Sequence, residues 1–171
     1  MNFFALVLYY DNAGWECHFY DVEAAFLEPT MADLEMFIDL PPGIVELGFL
    51  TKEQAEEYCI LLMHLMYGNV DAALRWITLK TEFMTSEEVG MTQSKADPCV
   101  FYKKSEEGKP ILVVAITVDD CAVAGHPKAI DWLLKKIEGR FNITRGGRLR
   151  KHLGADYKWK RDENQEPYIE V

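Results

Sequence analysis

The amino-acid sequence predicts an α+β domain: an antiparallel sheet in a split βαβ arrangement, with helices packed on one face. Three observations predict it. Trp15 to Val22 alternates and is rich in aromatic residues, the pattern of a strand. Ile111 to Val118 is a continuous run rich in β-branched residues, which suits a strand buried on both faces; it resumes at Cys121 to Ala124 after Asp119-Asp120. Ile130, Leu133, Leu134, Ile137 and Phe141 recur at helical spacing.

The remaining elements fall between these. Residues 2–11 read as a buried helix, since the run is apolar, lacks a basic flank and meets Asp11 quickly. Gly14 ends it. Ala24 to Leu27 is a helical turn stopped by Pro29. Glu35 to Leu40 is a second strand, ended by Pro41-Pro42-Gly43. Thr51 with Gln54 gives the capping pattern of a short helix. Tyr58 to Met63 fits either a strand or a buried helix, and periodicity does not separate them. Tyr67-Gly68-Asn69 punctuates. From Asp71 to Thr85 the apolar residues Leu74, Ile77, Leu79, Phe83 and Met84 predict an amphipathic helix, with Asp71 at its N-terminus. Cys99 to Tyr102 is a strand behind Pro98, and Glu107 to Pro110 is a turn. Gly146-Gly147 breaks the chain, and Leu153 to Trp159 closes it with a last strand.

A length of 171 residues suits one domain. No apolar run reaches the ~18–20 residues of a membrane span, so no membrane partner is expected. Cys17, Cys59, Cys99 and Cys121 are widely spaced, which argues against a disulfide framework or a zinc site and for a reduced, intracellular setting. His18, His64, His126 and His152 show no metal-binding spacing, and no G-x-S-x-G or phosphate-cradling glycine loop occurs. Trp15, Trp76, Trp132 and Trp159 read as core or rim packing. The net charge of −10 argues against a polyanionic partner, but it is uneven. Residues 125–171 hold 11 basic and 7 acidic residues, a balance of +4, and residues 1–124 hold 7 and 21, a balance of −14.

The chemistry points to carboxylates. Asp119 and Asp120 interrupt a buried hairpin where Asp-Gly or Asn-Gly would be the ordinary turn. Two adjacent carboxylates there repel each other and lose solvation unless a cation or donor compensates. Asp21 stands in a strand otherwise suited to burial, where it serves either as a helix N-cap or as a ligand. Three carboxylates from two strands suit Mg²⁺, which takes oxygen ligands and is usually held by one or two carboxylates plus substrate phosphates.

At these residues a resemblance becomes specific. Asp21-Val22-Glu23-Ala24-Ala25-Phe26-Leu27 resembles the D-V-x-x-A-F-L segment of copia-type retrotransposon reverse transcriptases, and Thr117-Val118-Asp119-Asp120 resembles their Y-V-D-D box. Leu40-Pro41-Pro42-Gly43 is similar to the family's P-P-G turn, and Tyr67-Gly68 with Arg75-Trp76 to its Y-G-x-x-Q-A-x-x-x-W segment. Ser94 to Phe101 is similar to its S-D-P-C-x-F strand, and Leu153-Gly154 to its late L-G turn. The motifs come in family order from about residue 15 to 160. Thr117 stands where the family usually has Tyr, and Asp71 where it usually has Gln.

The resemblance implies that residues 1–171 form a single polymerase palm domain of ferredoxin-like type, with most of the fingers, the thumb and RNase H absent. It implies RNA-directed DNA polymerase activity by two-metal nucleotidyl transfer on an RNA or DNA primer–template, with dNTPs and two Mg²⁺ ions that Mn²⁺ can replace. Asp21, Asp119 and Asp120 would be catalytic and hold the metals, with Val22 contributing backbone. Phe26 and Asp71 would face the nucleotide. Thr117, Val118, Arg145, Arg148, Arg150, Lys151, Leu153 and Gly154 would meet primer and template. The missing polyprotein segments would be further partners. Two competing readings are a truncated or domesticated palm without polymerase activity that acts as a binding domain, and an acidic interaction domain with no nucleic-acid role.

Overall fold

The computed structural model describes residues 3, 7–8, 10–29, 35–66, 68–152 and 154–171. In chain order its elements are β1 (Glu16–Val22), β2 (Phe37–Ile38), α1 (Lys52–Glu57), β3 (Ile60–Leu61), α2 (Ala72–Thr85), β4 (Thr92–Gln93), β5 (Val100–Lys104), β6 (Pro110–Thr117), β7 (Asp120–Gly125), α3 (Pro127–Glu138), β8 (Ile143–Arg148), β9 (Lys151–His152), β10 (Ala155–Asp156), β11 (Lys158–Arg161) and β12 (Pro167–Glu170). The chain divides into two units, Met1–Ala25 with Ile77–Val171, and Phe26–Trp76.

The larger unit is a mixed α/β body around a six-stranded antiparallel sheet ordered β4-β5-β6-β7-β1-β8. The β-branched run of β6 and the small side chains of β7 explain its centre: Leu112, Val114, Cys121, Ala122, Val123 and Ala124 are buried. β1 enters between β7 and β8, with Tyr20 opposite Cys121 and Asp21 opposite Asp120.

Residues opposite each other in antiparallel strands share a face, and neighbours along a strand alternate. Tyr20, Cys121 and Ile116 therefore share one face. There α3 lies on β6 and β7, burying Ile130, Leu133, Leu134 and Ile137, each worth about 1.5–3 kcal/mol relative to exposure. Pro127 sets the first turn of α3, and Lys135 and Lys136 in its last turn complement the helix dipole. The other face carries Cys17, Phe19 and Asp21. Its covered end is a cluster of Val7, Trp15, Cys17, Val113, Ala124 and Leu149, with Phe19, Tyr157 and Trp159 packed against it. The Trp159 indole Nε1 donates to the Leu149 carbonyl at 2.7 Å, which ties the C-terminal segment to this cluster.

The smaller unit pairs β2 with β3, Phe37 opposite Leu61 and Ile38 opposite Ile60. Its α1 is closed by a capping box between Thr51 and Gln54. Leu65 and Ala72 form its buried cluster, with Phe26, Met36 and Leu62 packed against it.

Several expectations are modified. Much of the opening helix lies outside the described residues; Phe3, Val7 and Leu8 are helical, and Asp11–Ala13 is a short 3-10 turn. Tyr58 to Met63 contributes the two-residue β3 rather than a longer element. The buried stripe of α2 is Ala72, Trp76, Lys80 and Met84, while Leu74 and Ile77 are exposed; the stripe was hidden by a lysine inside it. Gly146-Gly147 does not break the chain but lies within β8, and of the expected strand from Leu153 to Trp159 the described residues 154–159 are not one strand but belong to two small hairpins, β9–β10 and β11–β12. Among the described residues, no helix is long and apolar enough to cross a membrane.

Candidate functional site

β6 and β7 are joined by a two-residue turn, since Thr117 pairs with Asp120 and leaves Val118 and Asp119 at the tip. Val118 has φ +53°, a left-handed conformation that is sterically costly for a β-branched residue and tolerated where the surroundings hold it. The turn is tied to β1: the Val22 N–H donates to the Asp119 carbonyl at 3.3 Å. At Asp119 the side chain folds onto its own turn, its Oδ1 accepting from the Asp120 N–H at 3.1 Å.

The register then does what sequence distance conceals. Asp21 is the cross-strand partner of Asp120, so their Cβ atoms sit about 5 Å apart on one face of the sheet. Partial burial, then Asp119, Asp120 and Glu23 in that order, lift the Asp21 carboxyl above its ordinary value, and Lys80 pulls it the other way. The three carboxylates thus form a mutually repulsive group at the end of β1 and the β6–β7 turn.

Two residues that sequence reasoning missed support this group. The Glu23 carboxylate accepts from Asn142 Nδ2 at 2.6 Å and from Thr144 Oγ1 at 2.7 Å, and its N–H donates to the Asn142 carbonyl at 2.9 Å. It fastens the end of β1 to β8. Lys80 is 2% exposed and donates through Nζ to Cys121 Sγ at 2.7 Å, with Nζ 5.6 Å from the centre of the Tyr20 ring. Tyr20 and Cys121 are the cross-strand pair next to Asp21 and Asp120, on the opposite face. Burial pushes the Cys121 thiol up against the pull of Lys80, and pushes the Tyr20 phenol well above its usual range. Only the helical spacing from Trp76 to Met84 could have marked Lys80 as inward.

The carboxylates suit a hard dication chemically, because all their donors are oxygen. Among the described residues no three His, Cys, Asp or Glu side chains gather closely enough to enclose an ion. A Mg²⁺ site does not need that, because substrate phosphates and water ordinarily complete its shell.

The other expected residues are spread more widely. Thr117 is exposed and Val118 half-buried at the same turn. Phe26 packs on the Leu65–Ala72 cluster of the smaller unit, and Asp71 lies exposed just before α2. The Arg145 guanidinium is committed to protein carboxylates: Nε donates to Glu138 at 2.5 Å and Nη1 to Asp131 at 2.9 Å, which holds Arg145 above its ordinary value and Glu138 and Asp131 below theirs. Arg148 lies over the Trp159 ring at 5.5 Å, and Arg150 is exposed beside it. Lys151 is exposed in β9, Gly154 makes the β9–β10 turn at φ +80°, and Leu153 lies outside the described residues.

A family model described as "Reverse transcriptase (RNA-dependent DNA polymerase)" matches residues 5–164. A curated relative, the retrovirus-related Pol polyprotein from transposon TNT 1-94 of Nicotiana tabacum, is 27% identical over 159 residues. That alignment takes in 88% of this chain and 11% of the polyprotein. No solved structure matches the chain.

Proposed function

Because this chain belongs to the copia-type reverse transcriptase (RNA-dependent DNA polymerase) family, we propose that it is the palm region of such a polymerase, with Asp21, Asp119 and Asp120 as the carboxylates of nucleotidyl transfer. The observation that carries this reading is the pairing of Asp21 with Asp120 across β1 and β7, which joins two motifs distant in sequence on one face of a sheet. The order β6-β7-β1-β8, with α2 before β6 and α3 between β7 and β8, supports a split βαβ palm.

In this reading Asp21 and Asp119 hold the cations, Asp120 completes the charge, and the Val22 backbone faces the same site. Divalent cations held there would supply activation of an attacking 3′-hydroxyl and charge stabilisation of a leaving pyrophosphate. The chain's own contribution is positioning. The Val22–Asp119 hydrogen bond holds the end of β1 against the turn and Glu23 ties that end to β8, so the carboxylates stay aligned without a closed cage. Arg148, Arg150 and Lys151 supply basic contacts for the primer–template backbone, and Thr117, Val118 and Gly154 lie on the turns that would flank it. Arg145 contributes least there, since its charge is already matched by Glu138 and Asp131. Phe26 and Asp71 are proposed to face the incoming dNTP.

The test is primer extension on an RNA template with Mg²⁺ or Mn²⁺, using the chain alone and a longer product that includes adjoining coding sequence. The chain alone is expected to extend poorly. Extension by the longer product that disappears in Asp119→Asn/Asp120→Asn, a loss of about a thousandfold or more, supports the reading. Undiminished extension by that double variant refutes it.

A further inference from the structure

Lys80 stands out once the site is assembled. Among the described residues it is the charged side chain that the fold buries, at 2% exposed. Burying an ammonium is costly unless its field finds compensation. Its Nζ lies 2.7 Å from Cys121 Sγ and 5.6 Å from the Tyr20 ring centre. Tyr20 precedes Asp21 and Cys121 follows Asp120, and the two pairs are consecutive rungs of one ladder. The ammonium thus lies on the face of the sheet opposite Asp21 and Asp120, with the strands between them.

We propose that Lys80 is a resident counter-cation of the Asp21, Asp119 and Asp120 carboxylates, acting through the sheet from its opposite face, and that it limits how tightly they hold a divalent cation. This inference rests on the metal-binding reading of those carboxylates. A fixed positive charge several ångströms away, with little water between, lowers the mutual repulsion of three carboxylates. The same charge opposes an arriving dication. The site therefore tolerates being empty and gives up affinity when filled. That balance suits a centre whose cation shell is completed by substrate phosphates rather than by the protein. Lys80 is a positioning residue in the electrostatic sense and touches no reacting atom.

The experiment is a Mn²⁺ titration of the full chain, followed by loss of the free-ion paramagnetic resonance signal, with circular dichroism to establish folding. Lys80→Met is expected to bind Mn²⁺ on the order of tenfold more tightly than the parent chain. Lys80→Gln, which keeps a polar group in case Met disturbs the fold, is expected to tighten binding likewise. Lys80→Arg keeps the charge and is expected to keep the parent affinity. Cys121→Ala removes the thiol contact but not the charge and is expected to do the same. Equal or weaker binding by folded Lys80→Met and Lys80→Gln overturns the inference, as does tightening by Lys80→Arg. If Asp119→Asn/Asp120→Asn still abolishes binding in those cases, the metal site stands and only the role of Lys80 fails. Absence of Mn²⁺ binding in the parent and neutral variants alike removes both.

Discussion

Asp21 is placed where its own charge works against the fold. Burial and three neighbouring carboxylates raise its folded-state value above the ordinary one. An acid raised in the folded state binds more protons folded than unfolded, so stability falls as pH rises through the window from the ordinary carboxylate value up to the raised one. Above that window the cost is fully present. In metal-free buffer at neutral pH, Asp21→Asn should raise the melting temperature by about 1–2 °C, a small gain because the partly exposed site screens the repulsion. The gain should vanish in acid below the ordinary carboxylate range; an equal gain at both pH values, by calorimetry, would contradict the assignment. Asp119 and Asp120 were legible because adjacent acids in an apolar hairpin are locally anomalous. Lys80 was not, because a lysine in a helix reads as solvent-facing until the packing of α2 turns it inward.

At the scale of elements, β8 shows how local signals and tertiary needs diverge. Phe19 pairs with Gly147 and Tyr20 with Arg145, so Gly146 is the extra residue of a β-bulge, and Gly147 takes φ +71°. A Cβ on Gly146 would lie 1.7 Å from Phe19 Cε1. Gly146→Ala should therefore destabilise the protein by about 1–3 kcal/mol through overpacking, measured by urea unfolding. Adding Phe19→Leu should recover part of the loss; no recovery would mean that the ring is not the obstacle. In the sequence the glycine pair reads as a break, because glycine weakens a strand by itself and the ring that needs the space is over a hundred residues away. The β6–β7 hairpin and α3 were legible for the opposite reason: their hydrophobic patterns and their tertiary roles agree. The two C-terminal hairpins were not: Leu153-Gly154 resembles a turn, but the alternation that continues to Trp159 reads as one strand and hides the break between β10 and β11.

For the whole molecule, the division into two units has a measurable side. Among its described residues the smaller unit buries Pro29, Leu65, Ala72 and Trp76 with a few half-buried neighbours, and leaves Phe49, Met63 and Val70 largely exposed. The larger one buries most of β6 and β7. Backbone amides of α1, β2 and β3 should exchange with deuterium at least about tenfold faster than those of β1, β6 and β7. Uniform protection by mass spectrometry would show one cooperative body instead. The presence of an antiparallel α/β sheet was readable from the order of patterned segments. The division itself was not, because nothing in the composition changes at residues 26 or 76.

The strand order has a consequence for how the molecule is made. β1 is synthesised before its neighbours β7 and β8, which emerge only about a hundred residues later, and the intervening chain must be looped out before either pairing forms. During translation Tyr20 and Val22 wait without their sheet, exposed to wrong partners, while the smaller unit is already complete in the emerging chain. The three acids therefore meet only after about a hundred further residues have been made, and a ribosome interrupted in that interval releases a product that carries Asp21 without its paired carboxylates.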